Sequence, residues 1–345
     1  MSDMISFRCD YEEGACPEVL DALVRTNRVK TPGYGYDAFT QAAVEAIRGK
    51  ASCSGAEVYF VMGGTPANAM VIAHALRPYE AAISADSGHI NGHETGAVEA
   101  TGHKILTRPN VDGKLTPDAV RDVVAEYADE HVVKPALVYI SQPTELGTLY
   151  TFEELTALRA VCDENGLLLF CDGARLASAL TARGSDVGLP ELARLCDAFY
   201  IGGTKCGALF GEAVVFPNAA LGRNFAYTRK QRGNLLAKGR LLGVQFGALM
   251  QHGVYEKYGA HQNAMADRLR AGFAEKGYPM LSRTVTNQLF PVLENSQIER
   301  LSQRFAFHTW GKVDERHTAI RLVTSWATEA HEVDALLDCL EDYAE

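Results

Sequence analysis

The chain has 345 residues, about two domains' worth of length, with 47 % hydrophobic and 22 % charged residues and no low-complexity tract, the composition of an ordinary globular protein with a large core. A net charge of −10 argues against nucleic acid or an anionic membrane surface as partner. Its eight cysteines form no C-x-x-C pair, the N-terminus has no charged region followed by an apolar stretch, and no window reaches the length of a membrane span, which predicts reduced thiols and a cytoplasmic protein.

The opening segment, SFRCDYEEGA, is short, polar and irregular. Pro17 suits the first position of a helix with Leu20, Leu23 and Val24 on one face, and TPGYGYD, residues 31 to 37, reads as a turn. From Glu57 onward strands and helices alternate: EVYFVM, a GGTPAN turn, a helix to about Arg77, AAISA, a histidine-rich turn, a short helix and HKILT. The alternation continues with a helix from Pro117 to about His131, the strand ALVYIS, a helix from Phe152 to Asn165 and an apolar strand from Leu167 to Cys171. This βαβ rhythm sets the fold class as α/β, a mostly parallel sheet with helices on both faces. Past Lys205, EAVVF is a further strand and two long helical patterns cover residues 219 to 277. The rhythm then changes to NQLFPVLE, a helix, FAFHTW, AIRLVTSW and a helix from Glu329 to Tyr343. A large domain over residues 1–249, including the N-terminal segment, and a small α+β domain over 250–345 follow from that change.

Three turns carry candidate chemistry. Gly63, Gly64 and Thr65 lie between a strand and a helix, where glycines let the backbone approach an anion and free amides point at it. The turn is neither a P-loop nor G-x-G-x-x-G, which disfavours a nicotinamide cofactor. DSGHINGHETGA brings His89, His93 and Glu94 to the same sheet edge. Gly88 and Gly92 break any helix there, so a zincin-type metal pair is not expected and no metal site is assigned; an imidazole lying flat on an aromatic cofactor is the better use for one of the pair. The third turn organises the rest. The apolar run ending at Cys171 delivers Asp172, with Arg175 three residues on, and the run Ala198 to Ile201 leads through two glycines and Thr204 to Lys205. An acid and a lysine at successive strand ends open onto one crevice. Pyridoxal 5′-phosphate (PLP) uses that pair, the lysine for its aldehyde and the carboxylate to keep its pyridine nitrogen protonated.

FRCD, YGYD, GGTPAN, GHINGHETG, FCDGAR, GGTKCG and IRLVTSW, in this order and spacing, resemble the low-specificity L-threonine aldolases, which share the fold-type-I, aspartate-aminotransferase-like architecture of PLP enzymes. The resemblance spans nearly the whole chain, and the DGAR and TK pair is its most specific part. It implies Lys205 as the Schiff-base lysine, Asp172 as the partner of the ring nitrogen, and His89 as the stacked histidine that also handles the β-hydroxyl proton. It further implies Arg175 for the ring oxygen and the substrate carboxylate side, Gly64 and Thr65 for the phosphate, and Arg321 for the α-carboxylate. Cys9 stands where many members carry a serine facing the substrate. Lys238, in RGNLLAKGR, stands near where members often have an arginine, and as a point charge it would bind the phosphate. Tyr34 and Glu94 fall in segments that approach the active site in the family, Tyr34 from a neighbouring subunit, so a homodimer or homotetramer with shared sites and a small amino-acid substrate are implied.

The implied reaction is retro-aldol cleavage of an L-3-hydroxy-α-amino acid to glycine and an aldehyde. All Cα chemistry of this cofactor begins alike, so β-elimination, transamination and a catalytically silent PLP-binding protein stay open. Accumulated glycine, pyruvate with ammonia, or dependence on a keto acid would tell the reactions apart.

Overall fold

A computed structural model describes residues 4–341. Its core is a seven-stranded sheet in the order Glu57–Val61, Glu212–Phe216, Ala198–Gly202, Leu168–Asp172, Lys134–Ser141, Glu80–Ala85, Ile105–Arg108. Neighbours pair in parallel except Glu212–Phe216, which runs antiparallel to both its partners. The central strands are buried on both faces, which explains their unbroken apolar runs. Because one strand is reversed, its first residue, Glu212, lies level with the last residues of its neighbours, Val61 and Gly202. Val61, Glu212 and Gly202 lie level, as do Asp172 and Ser141, and all of them stand at the carboxyl edge of the sheet.

A second, antiparallel layer is built on His317–Val323, which pairs with Val292–Glu294, His308–Lys312 and Gln288–Leu289. NQLFPVLE, read as one strand, is two, broken around Pro291, whose missing N–H cannot serve the ladder. The first described strand forms a separate two-stranded sheet beside this layer. Ile5–Ser6 pairs in parallel with Phe305–Ala306, and Phe7 is buried beside Leu269, Phe273 and Leu322.

Several helices differ from their sequence-based bounds. The two patterns over residues 219 to 277 are four helices, Ala219–Gly222, Phe225–Gln231, Arg240–Met250 and Val254–Glu275, separated where Asn224, Gly233, His252 and Gly253 take positive φ. The helix from Pro117 stops at Glu126, and Asp129 beyond it accepts from the His131 N–H in a local turn. The last helix covers Ala330–Leu337, and Tyr343 lies outside the described residues. Ala38–Lys50 is a helix that the sequence reading passed over. Asp37 of YGYD is its N-cap, accepting from the Thr40 N–H at 2.9 Å, and Thr40, Ala43, Val44 and Ile47 form its buried face. In Pro17–Thr26 the buried residues are Val19 and Ala22, while Leu20 and Val24 are 45 % and 76 % exposed, the reverse of the expected face. Among the described residues no helix is long and apolar enough to cross a membrane.

Candidate active site

The strand ends carrying Asp172 and leading to Lys205 are drawn together by two glycines. The Gly202 N–H donates to Gly173 O at 3.0 Å, and a Cβ on Gly173 would stand 1.9 Å from Tyr200 O, one on Gly202 2.3 Å from Ala174 O. Both contacts are with backbone, which has no rotamer to yield. Gly173→Ala is therefore expected to destabilise the fold by about 3 kcal/mol or more through overpacking, read as a lower melting temperature, whereas Gly166→Ala, with nothing within 4 Å of its Cβ, tests the positive-φ cost alone.

Asp172 closes the floor of the cavity. Its carboxylate accepts from Asn68 Nδ2 at 2.9 Å, Tyr139 Oη at 2.7 Å, the Ala174 N–H at 2.9 Å, and Tyr200 Oη. Burial alone would push its pKa up, but the nearby His89 and these donors outweigh it and hold the group below the ordinary carboxyl value, hence ionised. Lys205 shows the opposite balance. Burial and, next, Arg175 lower its pKa, favouring the neutral amine, and its Nζ lies 5.8 Å above the Tyr11 ring. Glu212 accepts from the Gly203 N–H and from Thr204 Oγ1, and burial pushes its pKa up to about 8.

The histidine-rich turn folds as one helical turn, His89–Gly92, despite its two glycines. His89 Nδ1 lies 2.8 Å from Glu94 Oε1, which also accepts from Asn68 Nδ2 at 2.7 Å. A carboxylate can only accept, so the Nδ1 proton is fixed and Nε2 is left for the cavity. Asn68 thereby joins the acids beneath His89 and on the floor. The His89 N–H donates to Glu145 Oε1.

Two chambers share Tyr11, His89, His93, Glu145, Arg175 and Lys205. The inner one, about 400 Å³, is also lined by Gly64, Thr65, Asp172 and Glu212; the outer, about 530 Å³, by Gln288, His308, Thr309, Trp310 and Arg321. Arg175 is held bidentate by buried Asp10, Nε at 2.7 Å and Nη2 at 3.0 Å, with Asn287 Nδ2 donating to the same acid. Arg321 sits 5.4 Å from the Trp310 ring, and its side chain has no hydrogen bond or ion pair among the described residues. It is a guanidinium without an anion.

Of the residues singled out in the sequence, Gly64, Thr65, His89, Asp172, Arg175, Lys205 and Arg321 meet at this cavity. Four do not line it. Glu94 is withdrawn beneath His89 with its side chain 0 % exposed, so it positions the imidazole and does not face a substrate. Cys9 is buried beside the cavity, and Tyr11, two residues on, lines it instead. Tyr34, with φ 61° and 43 % exposed, donates its N–H to Ala237 O, so its loop packs against the loop of Lys238, itself exposed, away from this chain's own cavity. Residues missed in the sequence are Asp10, although FRCD contains it, Asn68, Tyr139, Ser141, Glu145, Tyr200 and Glu212. The repeated strand-end position was the available signal for Ser141, whereas Glu212 opens its strand and reaches this edge only because that strand runs antiparallel.

The donor set fits PLP. The helix Gly64–Ala75 starts without a side-chain cap, and its first amides and the Thr65 hydroxyl suit a phosphate. A Cβ on Gly64 would stand 3.0 Å from Tyr200 Oη, so only glycine leaves that approach open. An acid held ionised, an amine whose pKa is lowered and an unpaired guanidinium complete a site for PLP and an amino acid.

A beta-eliminating lyase family model matches residues 6–296. The low-specificity L-threonine aldolases of Pseudomonas sp. strain NCIMB 10558 and of Pseudomonas aeruginosa are each 33 % identical to the chain, covering 96 % of it and 95 % of themselves. The structure of a Leishmania major threonine aldolase is 45 % identical with a TM-score of 0.96, covering 97 % of this chain and 98 % of its own. A Thermus thermophilus aspartate aminotransferase mutant, 15 % identical with a TM-score of 0.73 over 98 % of this chain and 91 % of its own, shares the fold. With its strand-end acid and lysine facing one cavity, the chain belongs to the beta-eliminating lyase family and, within it, to the low-specificity L-threonine aldolases.

Proposed function

We propose that the protein is a PLP-dependent aldolase that cleaves L-threonine, L-allo-threonine or a related L-3-hydroxy-α-amino acid to glycine and an aldehyde. The observation that carries this reading is the shared cavity, in which Lys205 and Asp172 lie on the inner side and an unpaired Arg321 on the outer side. When bound, PLP supplies an aldehyde for the substrate amine and a protonated ring that accepts the electron pair of the broken bond. Asp172, kept ionised, holds the proton on the ring nitrogen, and Gly64 and Thr65 hold the phosphate. Lys205 would present its amine to the aldehyde, His89, oriented by Glu94, would be the stacked imidazole, and Arg175, paired with Asp10, would serve the ring oxygen. Arg321 would take the α-carboxylate bidentately and so orient the substrate.

The outer chamber, walled on one side by Trp310, supports acceptance of side chains larger than methyl. The reading includes a homodimer or homotetramer in the cytoplasm. Exposed Leu20, Val24, Val29, Tyr34 and Tyr36 support the assembly, with the Tyr34 and Lys238 loops serving a neighbour's site. It keeps residues 250–345 as the small domain, supported by the positive-φ turn at His252 and Gly253. Incubation of PLP-loaded protein with L-threonine, L-allo-threonine and L-phenylserine is expected to release glycine and aldehyde in equal amounts. Pyruvate with ammonia, or activity only with an added keto acid, would replace this reading by elimination or transamination.

A further inference from the structure

Retro-aldol cleavage needs a group that takes the β-hydroxyl proton, and the cavity holds a carboxyl that the reaction as described leaves unused. Glu145 follows the strand Lys134–Ser141, next to the strand end that bears Asp172. Its two oxygens differ. Oε1 accepts from Ser141 Oγ at 2.6 Å and from the His89 N–H at 2.9 Å, while Oε2 accepts from no other residue among those described. Two donors on Oε1 leave Oε2 as the atom that gains or gives up a proton, and Glu145 lines both chambers, at the junction between Lys205 and Arg321. His89 is less free. Its Nδ1 is tied to Glu94, and its ring is committed to covering the cofactor.

We propose that Glu145 is a further catalytic residue, whose Oε2 accepts the β-hydroxyl proton of the substrate in cleavage and returns it in the reverse condensation. This rests on the aldolase reading above. The O–H bond breaks and its proton passes to Oε2. Its electron pair becomes the second C–O bond of the departing aldehyde, and the Cα–Cβ pair stays with Cα, to be accepted by the cofactor until a proton completes glycine. The surroundings support the role. Burial raises the Glu145 pKa, opposed by Ser141, while Asp172 on the adjacent strand adds to the rise. Tyr139 and Tyr150 from its own strand and loop and Arg175 across the cavity also feel its charge, so its proton affinity is set by the site as a whole.

The test is Glu145→Gln in the PLP-loaded enzyme, since glutamine keeps the shape and an oxygen for Ser141 and His89. Cleavage is expected to fall on the order of 10²–10⁴-fold, the span of general acid–base catalysis. Exchange of the glycine Cα proton with deuterium, followed by NMR, requires no β-hydroxyl and should stay within about threefold. The acid limb of the kcat/KM profile should vanish in Glu145→Gln and return, displaced, in Glu145→Asp. Unchanged cleavage with the limb intact would overturn the assignment, and so would an equal fall in glycine exchange, which would make the residue structural. If His89→Asn removes the limb while Glu145→Gln keeps it, the base is His89. Should the unsubstituted enzyme exchange glycine yet release no aldehyde, the aldolase reading itself fails, which the other outcomes leave standing.

Discussion

Lys205→Ala is expected to lower glycine and aldehyde release on the order of 10⁴-fold, the upper range for a group that both bonds to the cofactor and moves protons. The variant should keep its fold. Among the described residues the lysine side chain makes no hydrogen bond, and the contact that fixes this turn, Gln262 Nε2 donating to Lys205 O at 2.6 Å, is to the backbone. Melting temperature should therefore change little while the visible absorbance of the bound cofactor shifts to that of free aldehyde. The lowered pKa of Lys205, caused by burial and then by Arg175, runs in the direction that favours a nucleophilic amine. Residual cleavage above about a hundredth of the original rate would show that another amine serves in its place.

Asp172→Asn is expected to be the next most damaging change, with cleavage reduced about 10³-fold. Asparagine has the volume of aspartate but no charge, so the ring nitrogen loses the partner that keeps it protonated. Asn68, Tyr139, Tyr200 and the Ala174 amide all donate to this carboxylate. An amide places N–H groups where two of those donors point, and a mismatched buried donor costs about 1–3 kcal/mol. Loss of activity should thus come with a lower melting temperature, which separates this variant from Lys205→Ala. A fully active Asp172→Asn enzyme would mean that the ring nitrogen need not be protonated.

The two residues most readable in the sequence, Asp172 and Lys205, were so because one closes an apolar run buried on both faces and the other follows such a run, with small residues beside both strand ends. The structure gives those small residues their reason, the backbone contact between Gly173 and Gly202. Gly64 and Thr65 were legible on the same ground, as a helix start with nothing to cap it. Glu145 was not. It follows Pro143 in a loop of mixed character, and only the folded chain brings its Oε1 under the amide of His89, 56 residues away. Asp10 was hidden for a similar reason, since one of three acids in a polar segment gives no hint of a bidentate arginine 165 positions later. Glu94 was seen but misplaced. A sequence puts it beside the histidines without saying that its side chain turns inward to orient one of them. The helix Ala38–Lys50 was missed because its cap was read as the end of a turn.

The ion pair between Asp10 and Arg175 joins parts of the molecule that belong to different layers. Arg175 stands at the carboxyl edge of the large sheet, but Asp10 follows Ile5–Ser6, which pairs in parallel with Phe305–Ala306, and Phe7 O accepts from the Val323 N–H at 2.8 Å, at the end of the strand that carries Arg321. The counterion of one cavity arginine is therefore tied, through a few residues of backbone, to the strand that carries the other, so the placement of Asp10 against Arg175 and the placement of Arg321 are coupled through one short stretch of chain.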